Sequence, residues 1–388
     1  MPSAFGFRFD NTYRRLPAPL FSDCSPQSVS TPQFVLFNDR LAQEMGLDSK
    51  ALSAHPERFT GNAPLEGNEP IAQAYAGHQF GNWNPQLGDG RAILLGEVID
   101  SNGQRRDIQL KGSGRTPYSR GGDGRAWLGP VLREYIVSEA MHAMGVPTTR
   151  ALAAVTTGED VYRETALPGA VLARVAASHI RVGTFQIYAA RGMTDELRTL
   201  TDYTIKRHYP DADGPQGLLD AVIARHAKLI AKWMALGFIH GVMNTDNASI
   251  AGETIDYGPC AFMDDFHPHK VFSSIDQTGR YAYSNQPGIA AWNMAQFATA
   301  LIPLMPDQDK AIAAFTASVN HLPVLHKAAW LKAFGAKLGL SSPTEADTDL
   351  INGFLTLLTN QRADFTNSFA ALSSDTPRDH FTDREAFD

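Results

Sequence analysis

The stretch from His240 to Gly258, HGVMNTDNASIAGETIDYG, constrains this chain more than any other. It holds an Asp-Asn pair, Asp246 and Asn247, and then an Asp-Tyr-Gly triplet that starts at Asp256. Between them, Ala248 to Ile250 and Thr254 to Ile255 read as two short strands around an Ala251-Gly252 turn. A hairpin of that size swings Asp256 back beside Asn247. Two carboxylates and an amide oxygen then converge on one spot. A buried carboxylate without a counter-charge is expensive, so the cluster calls for a cation. Oxygen-only ligands favour a hard ion, Mg²⁺ or Mn²⁺, which commonly arrives with nucleotide phosphates.

The chain has 388 residues, enough for one large or two modest domains with a sizeable core. No apolar run is long enough to span a bilayer, and the first residues lack a basic-then-apolar leader pattern. The two cysteines, Cys24 and Cys260, are far apart and form no C-x-x-C, which suits a reduced cytoplasmic setting. The formal charge is −7, from 34 basic and 41 acidic residues. That argues against nucleic acid as a general partner, since such binding draws on excess basic charge. A local basic cluster remains in Arg105, Arg106, Lys111, Arg115, Arg120 and Arg125.

Residues 1–70 are rich in Pro, Ser and Asn and read as an irregular wrap, with a short helix near Asp39 to Gly46. Residues 92–99 read as a strand, Asp100-Ser101-Asn102-Gly103 as a turn, and 106–111 as the returning strand. Gly112 to Gly124 is a glycine-rich, basic loop. A helix follows, with Pro130 in its first turn and Gly145 at its stop. Leu132, Tyr135, Ile136, Ala140 and Ala143 fall on one face of it. Strands are expected over 150–156 and 168–176, with a turn at Thr157-Gly158-Glu159-Asp160. After about residue 190 the period becomes helical, first up to Gly237, then near 289–305, 308–320, 324–337 and 347–360. The expected class is α+β: a β-rich half with one key helix (71–190), then a helix-rich half (191–388).

Several charged groups stand out. Lys111 ends a strand and Glu134 lies early on the next helix; alone, each reads as a solvated charge. A helix covered on both sides would instead bury Glu134, and Lys111 is the candidate partner. Gly88-Asp89-Gly90-Arg91 and Gly121-Gly122-Asp123-Gly124-Arg125 bracket Lys111, and glycines let backbone N–H groups approach phosphate. Neither loop matches a standard phosphate-binding fingerprint. Arg174 lies in the apolar run 170–176, where a lone cation is costly, and Arg181 follows; both suit phosphate, or a structural pair with acids. Asp246 is placed to accept a proton from an attacking hydroxyl. His240 reads as a structural histidine, and no histidine has a zinc-type partner pattern.

The set runs in the order of protein-kinase-like folds: glycine loop, strand Lys, helix Glu, loop Asn, Asp-aromatic-Gly. It lacks H-R-D, having His240-Gly241-Val242 instead. The strings YAGHQFGNWNPQLGDGRAILLGE (75–97), QLKGSGRTPYSRGGDGRAWLGPVLREYI (109–136), HGVMNTDN (240–247) and DYGPCAFMDD (256–265) together resemble the selenoprotein O family, labelled YdiU in bacteria. The resemblance covers roughly residues 70–300. It implies a bilobal, pseudokinase-like fold that transfers AMP from ATP to Ser, Thr or Tyr hydroxyls of proteins, with ATP flipped relative to kinases and Mg²⁺ or Mn²⁺ as metal. It implies nucleotide contacts at Gly88, Gly90, Arg91, Lys111, Asp123, Gly124, Arg174, Arg181 and Asp256, with Glu134 pairing Lys111. It implies metal ligands at Asn247 and Asp256 and a proton acceptor at Asp246. A monomer with protein acceptors, no nucleic acid and no membrane is expected. The family's C-terminal Cys or selenocysteine tail is not in this stretch, so redox control through it is not expected here. Uridylyl transfer, phosphoryl transfer and nucleotide binding without turnover stay open beside adenylylation.

Overall fold

The computed structural model describes residues 5–388. The first part builds strands β1 (Phe21–Asp23) and β2 (Gln33–Phe37) and helices α1 (Asp39–Glu44) and α2 (Ser49–Leu52). Strands β3 (Ile71–Gln73), β4 (Gly77–Gln79), β5 (Asn82–Asn84), β6 (Ala92–Ile99), β7 (Arg105–Lys111) and β8 (Ala126–Trp127) follow. Helix α3 (Leu128–Ala143) precedes the two long strands β9 (Arg150–Tyr162) and β10 (Ala166–Ala176). Helices α4 (Val182–Ala190), α5 (Thr194–His208) and α6 (Gly214–Ala235) lead to two-residue strands β11 (Phe238–Ile239) and β12 (Ala261–Phe262). Helices α7 (Gln286–Leu301), α8 (Gln308–Lys337), α9 (Thr348–Gln361) and α10 (Phe365–Ala371) complete the order. The class is mixed α and β, with strands concentrated in the first half and helices in the second.

Eight strands form one antiparallel sheet in the order β1-β3-β6-β7-β10-β9-β2, with β8 added to β10. The β6–β7 hairpin forms where the turn residues place it. The Asp100 carboxylate accepts the Asn102 and Gln104 N–H groups at 2.9 and 2.8 Å, and Gly103 takes φ +75°. Strand β6 is almost wholly buried because apolar layers cover both faces. Leu94 joins a core with Phe185, Leu218, Phe297 and Phe315 from the helices. Leu95 and Val98 join a second core with Phe7, Leu41 and Phe59. Residues 5–70 thus contribute two edge strands and part of a core.

Four expectations change. Helix α3 buries Val131, Glu134, Ser138 and Met141, whereas Ile136 is 59% exposed. The buried stripe follows the ion pairs of Glu134, not apolar periodicity. Strand β9 runs through Thr157-Gly158-Glu159-Asp160 as an irregular register against β10, and the reversal falls at 163–165. The periods at 308–320 and 324–337 form one helix, α8, through Pro323. A mid-helix proline costs about 3 kcal/mol. Burial of Phe315, Leu322, Leu331 and Phe334 along α8 offsets that cost. Finally, Ala248–Ile250 and Thr254–Ile255 do not pair with each other. Ser249 bridges Arg181 and Thr254 bridges Thr148. The Gly252 turn is present, with its N–H donating to the Ser249 carbonyl at 3.0 Å, but long-range partners outcompete so short a hairpin.

Behind the sheet, His179 is buried with Nδ1 3.0 Å from Asp107, which also pairs with Arg207. Burial pushes the His179 pKa from 6.5 down to about 4, against the pull of Asp107. The unfolded chain therefore binds more protons than the fold between these values, and stability falls as pH drops through that window. From about pH 7 to about pH 5, the chain should lose on the order of 1–2 kcal/mol more than its His179→Gln variant. Urea unfolding at both pH values measures this; equal losses in the two proteins would contradict the assignment.

Candidate active site

The charged residues singled out in the sequence meet at one place because four elements converge there. Lys111 is the last residue of β7, paired to Ala92 on β6 and Leu172 on β10. Arg174 stands on β10, Glu134 on the second turn of α3, and Arg181 at the residue before α4. Asp256 comes in from the loop after the Gly252 turn with φ +61°, a left-handed conformation that a non-glycine residue adopts at a cost of about 1 kcal/mol or more.

The ion pairs hold that conformation. The Lys111 ammonium donates to Glu134 at 2.6 Å and to Asp256 at 2.7 Å. One nitrogen of the Arg174 guanidinium donates to Glu134 at 2.9 Å and to Asp256 at 2.6 Å, and the other to the Gln109 amide oxygen at 2.5 Å. Arg181 donates to the second Asp256 oxygen and to the Asp246 backbone carbonyl, both at 2.8 Å. Arg174 is only 1% exposed, so this cluster lies at the floor of the site. Burial opposes ionisation of Glu134 and Asp256, but Lys111 and Arg174, with Arg181 for Asp256, outweigh it and hold both carboxyls below their usual range. The cleft over this cluster is lined by eight Lys or Arg residues and five Asp or Glu residues, an excess that favours an anionic ligand.

Above this floor opens a cleft of about 480 Å³. All twelve residues expected at the site line it: Gly88, Gly90, Arg91, Lys111, Asp123, Gly124, Glu134, Arg174, Arg181, Asp246, Asn247 and Asp256. Arg120 and Arg125 from the basic cluster line it too. Arg105 and Arg106 instead pair with Asp10 and Asp100. The glycine loops have a packing reason. Gly88 has φ +68°, and a Cβ there would lie 2.3 Å from the Tyr118 ring. Gly124 has φ +67°, and its Cβ would sit 2.0 Å from the Gly114 carbonyl oxygen. The Gly88 and Gly90 N–H groups already donate to backbone carbonyls. Asp123 is held by Arg163 at 2.8 Å and accepts the Arg125 N–H.

At the other wall, Asp246 is 8% exposed. Its Oδ2 accepts from the Gln79 amide at 3.2 Å, while Oδ1 has no hydrogen-bond partner. Burial pushes its pKa up to about 6 despite the nearby Arg181. Asn247 donates to the Val242 carbonyl at 3.0 Å, which leaves its amide oxygen as the free end. His240 is buried, stacks on Trp233, and pairs with the Ile255 carbonyl at 2.9 Å, so it braces the chain just before Asp256.

Three contributors were not singled out from sequence. Gln109 anchors Arg174. Asp89 is buried behind Arg181, and burial pushes its pKa up to about 6. The Tyr75 ring lies 4.6 Å from the Arg181 guanidinium. Asp89 had a signal, an acid between two glycines and an arginine. Gln109, in strand β7, and Tyr75, in the segment between β3 and β4, carry no charge that calls for a partner and had none.

A family model described as "Protein adenylyltransferase SelO" matches residues 4–387. The protein nucleotidyltransferase YdiU of Roseobacter denitrificans is 63% identical over 380 residues, covering 98% of this chain and 81% of its own length. The protein of that name from Ruegeria pomeroyi is 62% identical, covering 98% and 80%. That of Halalkalibacterium halodurans is 58% identical, covering 95% and 77%.

Proposed function

Because the chain belongs to the SelO family and is therefore a nucleotidyltransferase, we propose that it transfers AMP from ATP to a Ser, Thr or Tyr hydroxyl of an acceptor protein. One observation carries this reading: Lys111, Arg174 and Arg181 converge on Asp256 at the cleft floor. A polyphosphate neutralises those cations best if its β- and γ-phosphates enter deepest. The α-phosphate then lies toward Asp246 and Asn247. The sheet half and the helical half act as two lobes of a kinase-like fold around the nucleotide, with residues 1–70 as an extension and 71–190 and 191–388 as the lobes. The missing H-R-D acid fits chemistry at the α-phosphate rather than kinase chemistry at the γ-phosphate.

The step is a displacement. The acceptor oxygen bonds to the α-phosphorus, and the bond from that phosphorus to the α–β bridging oxygen breaks. Pyrophosphate leaves toward Lys111, Arg174 and Arg181, which stabilise its charge. The proton passes to Asp246, whose place at the cleft wall and raised pKa suit a general base. Asn247 and Asp256 are the residues that would hold Mg²⁺ or Mn²⁺. Among the described residues no group of three or more His, Cys, Asp or Glu side chains is placed to hold a metal. Two hard oxygen donors nevertheless fit an ion that keeps phosphate oxygens and waters as its other ligands. When bound, such an ion neutralises phosphate charge in the transition state.

Among the described residues no helix is long and apolar enough to cross a membrane. UTP as donor is a second reading, because the YdiU relatives are named for nucleotidyl transfer without a specified nucleotide. ATP labelled at the α- or γ-phosphate, and α-labelled UTP, offered with a protein acceptor, separate these readings. Label is expected from the α-position of ATP. Label from the γ-position alone would mean phosphotransfer, label from UTP alone uridylylation, and no label on acceptor or self a binding protein.

A further inference from the structure

The hairpin β4–β5 is a separate two-stranded unit, paired Gly77–Asn84, His78–Trp83 and Gln79–Asn82, outside the main sheet. Three consecutive residues of it bond three consecutive residues of the loop that carries Asp246. The His78 N–H donates to the Thr245 hydroxyl at 2.7 Å. The Phe80 N–H donates to the Asn244 side-chain oxygen at 3.0 Å. Between them, the Gln79 side-chain amide donates to Asp246 Oδ2 at 3.2 Å. Gly77 allows the approach: a Cβ there would stand 3.1 Å from both Cβ and Oδ1 of Asp246.

The hairpin is itself braced. The His78 ring packs against Trp83 at 4.9 Å and Trp292 at 5.2 Å, and its Nδ1 pairs with Gln186 at 3.0 Å. Phe80 takes φ +51°, a turn geometry that a non-glycine residue keeps only when its surroundings impose it. The loop is therefore clamped to a rigid element distant in sequence. The two oxygens of Asp246 are left unequal: Gln79 occupies Oδ2, and Oδ1 has no partner although the residue is more than nine-tenths buried. Oδ1 lies against Gly77, so the hairpin, and not solvent, sets how the carboxylate is turned.

We propose that Gln79 is the positioning residue of the transfer reaction: its amide, bonded to Oδ2, fixes the Asp246 carboxylate at the cleft wall in the orientation in which it takes the acceptor proton. The proposal rests on the adenylyl-transfer reading, in which Asp246 takes the acceptor proton. Gln79 touches neither nucleotide nor acceptor. Its removal should slow turnover without loosening ATP.

Gln79→Met keeps the length of the side chain and removes the donor. Gln79→Glu keeps the shape and sets a second carboxylate against Asp246. With the full chain, α-labelled ATP and casein as acceptor, both variants should lose about 10- to 100-fold in kcat. KM for ATP and the Kd of a non-hydrolysable ATP analogue should change less than about 3-fold, while the lost hydrogen bond to buried Asp246 lowers the unfolding midpoint by only a few degrees. Unchanged kcat in both variants would overturn the proposal. So would a parallel loss of kcat, analogue affinity and thermal midpoint, which is the mark of a merely structural clamp. An active parent with fully active variants removes only the role of Gln79. A parent that never takes label from the α-phosphate removes the adenylyl-transfer reading, and this proposal with it.

Discussion

Asp256→Ala should abolish metal-dependent transfer, with a loss of at least about 10³-fold expected when a charge-bearing group of the reaction centre is removed. The variant should also show an effect of opposite sign. In the free protein the Asp256 carboxylate occupies Lys111, Arg174 and Arg181, at 2.7, 2.6 and 2.8 Å. Those cations are the ones proposed for the β- and γ-phosphates, so in the absence of metal the carboxylate competes with polyphosphate for them. Removing it leaves the cations short of a partner and exposes them to any anion. Asp256→Ala should therefore bind tripolyphosphate more tightly than the parent when a chelator is present. Titration calorimetry in EDTA reads this directly. Weaker binding by the variant would mean that Asp256 does not compete with phosphate. Full transfer activity would remove its proposed role as metal ligand.

Arg174→Met should be among the most destabilising single changes in the chain, at about 3–5 kcal/mol, the range for breaking a buried charge pair by removing one partner. The guanidinium is 1% exposed and serves three acceptors in two directions, Glu134, Asp256 and Gln109. Methionine fills part of the space and serves none of them. Arg174→Lys should recover only part of the loss, because one ammonium cannot reach along both arms of the guanidinium fork. Urea unfolding gives the number, and a loss under about 1 kcal/mol would contradict the view that this cluster holds strand, helix and loop together.

How much of this was legible depends on what kind of interaction decided each feature. The β6–β7 hairpin was readable because its turn chemistry is local to Asp100–Gly103. The cluster members were readable for a different reason. A charge within an apolar run, such as Arg174, or on a helix between packed layers, such as Glu134, must find a partner at some distance in sequence. Its existence can be inferred before its geometry. The buried face of α3 was misread because apolar periodicity was followed, whereas the ion pairs at Glu134 turn the helix. The 157–160 segment was misread because turn-forming residues also serve at an irregular register between long strands. The short hairpin after Asn247 failed because its few local hydrogen bonds were weaker than bridges to Arg181 and Thr148.

The role proposed for Gln79 lies at the far end of that scale. A glutamine in a short polar hairpin carries no cost that forces a partner, so nothing local marks it. By itself the sequence determined the residue types that cannot stay unpaired, the turns that local chemistry writes, and the order of motifs that places the chain in its family. The tertiary structure alone decided which carboxylate meets which cation, which oxygen of Asp246 stays free, and which distant hairpin holds it. Those choices rest on contacts between residues from 23 to 167 positions apart. Burial and geometry set their strength, and neither exists until the whole chain has packed.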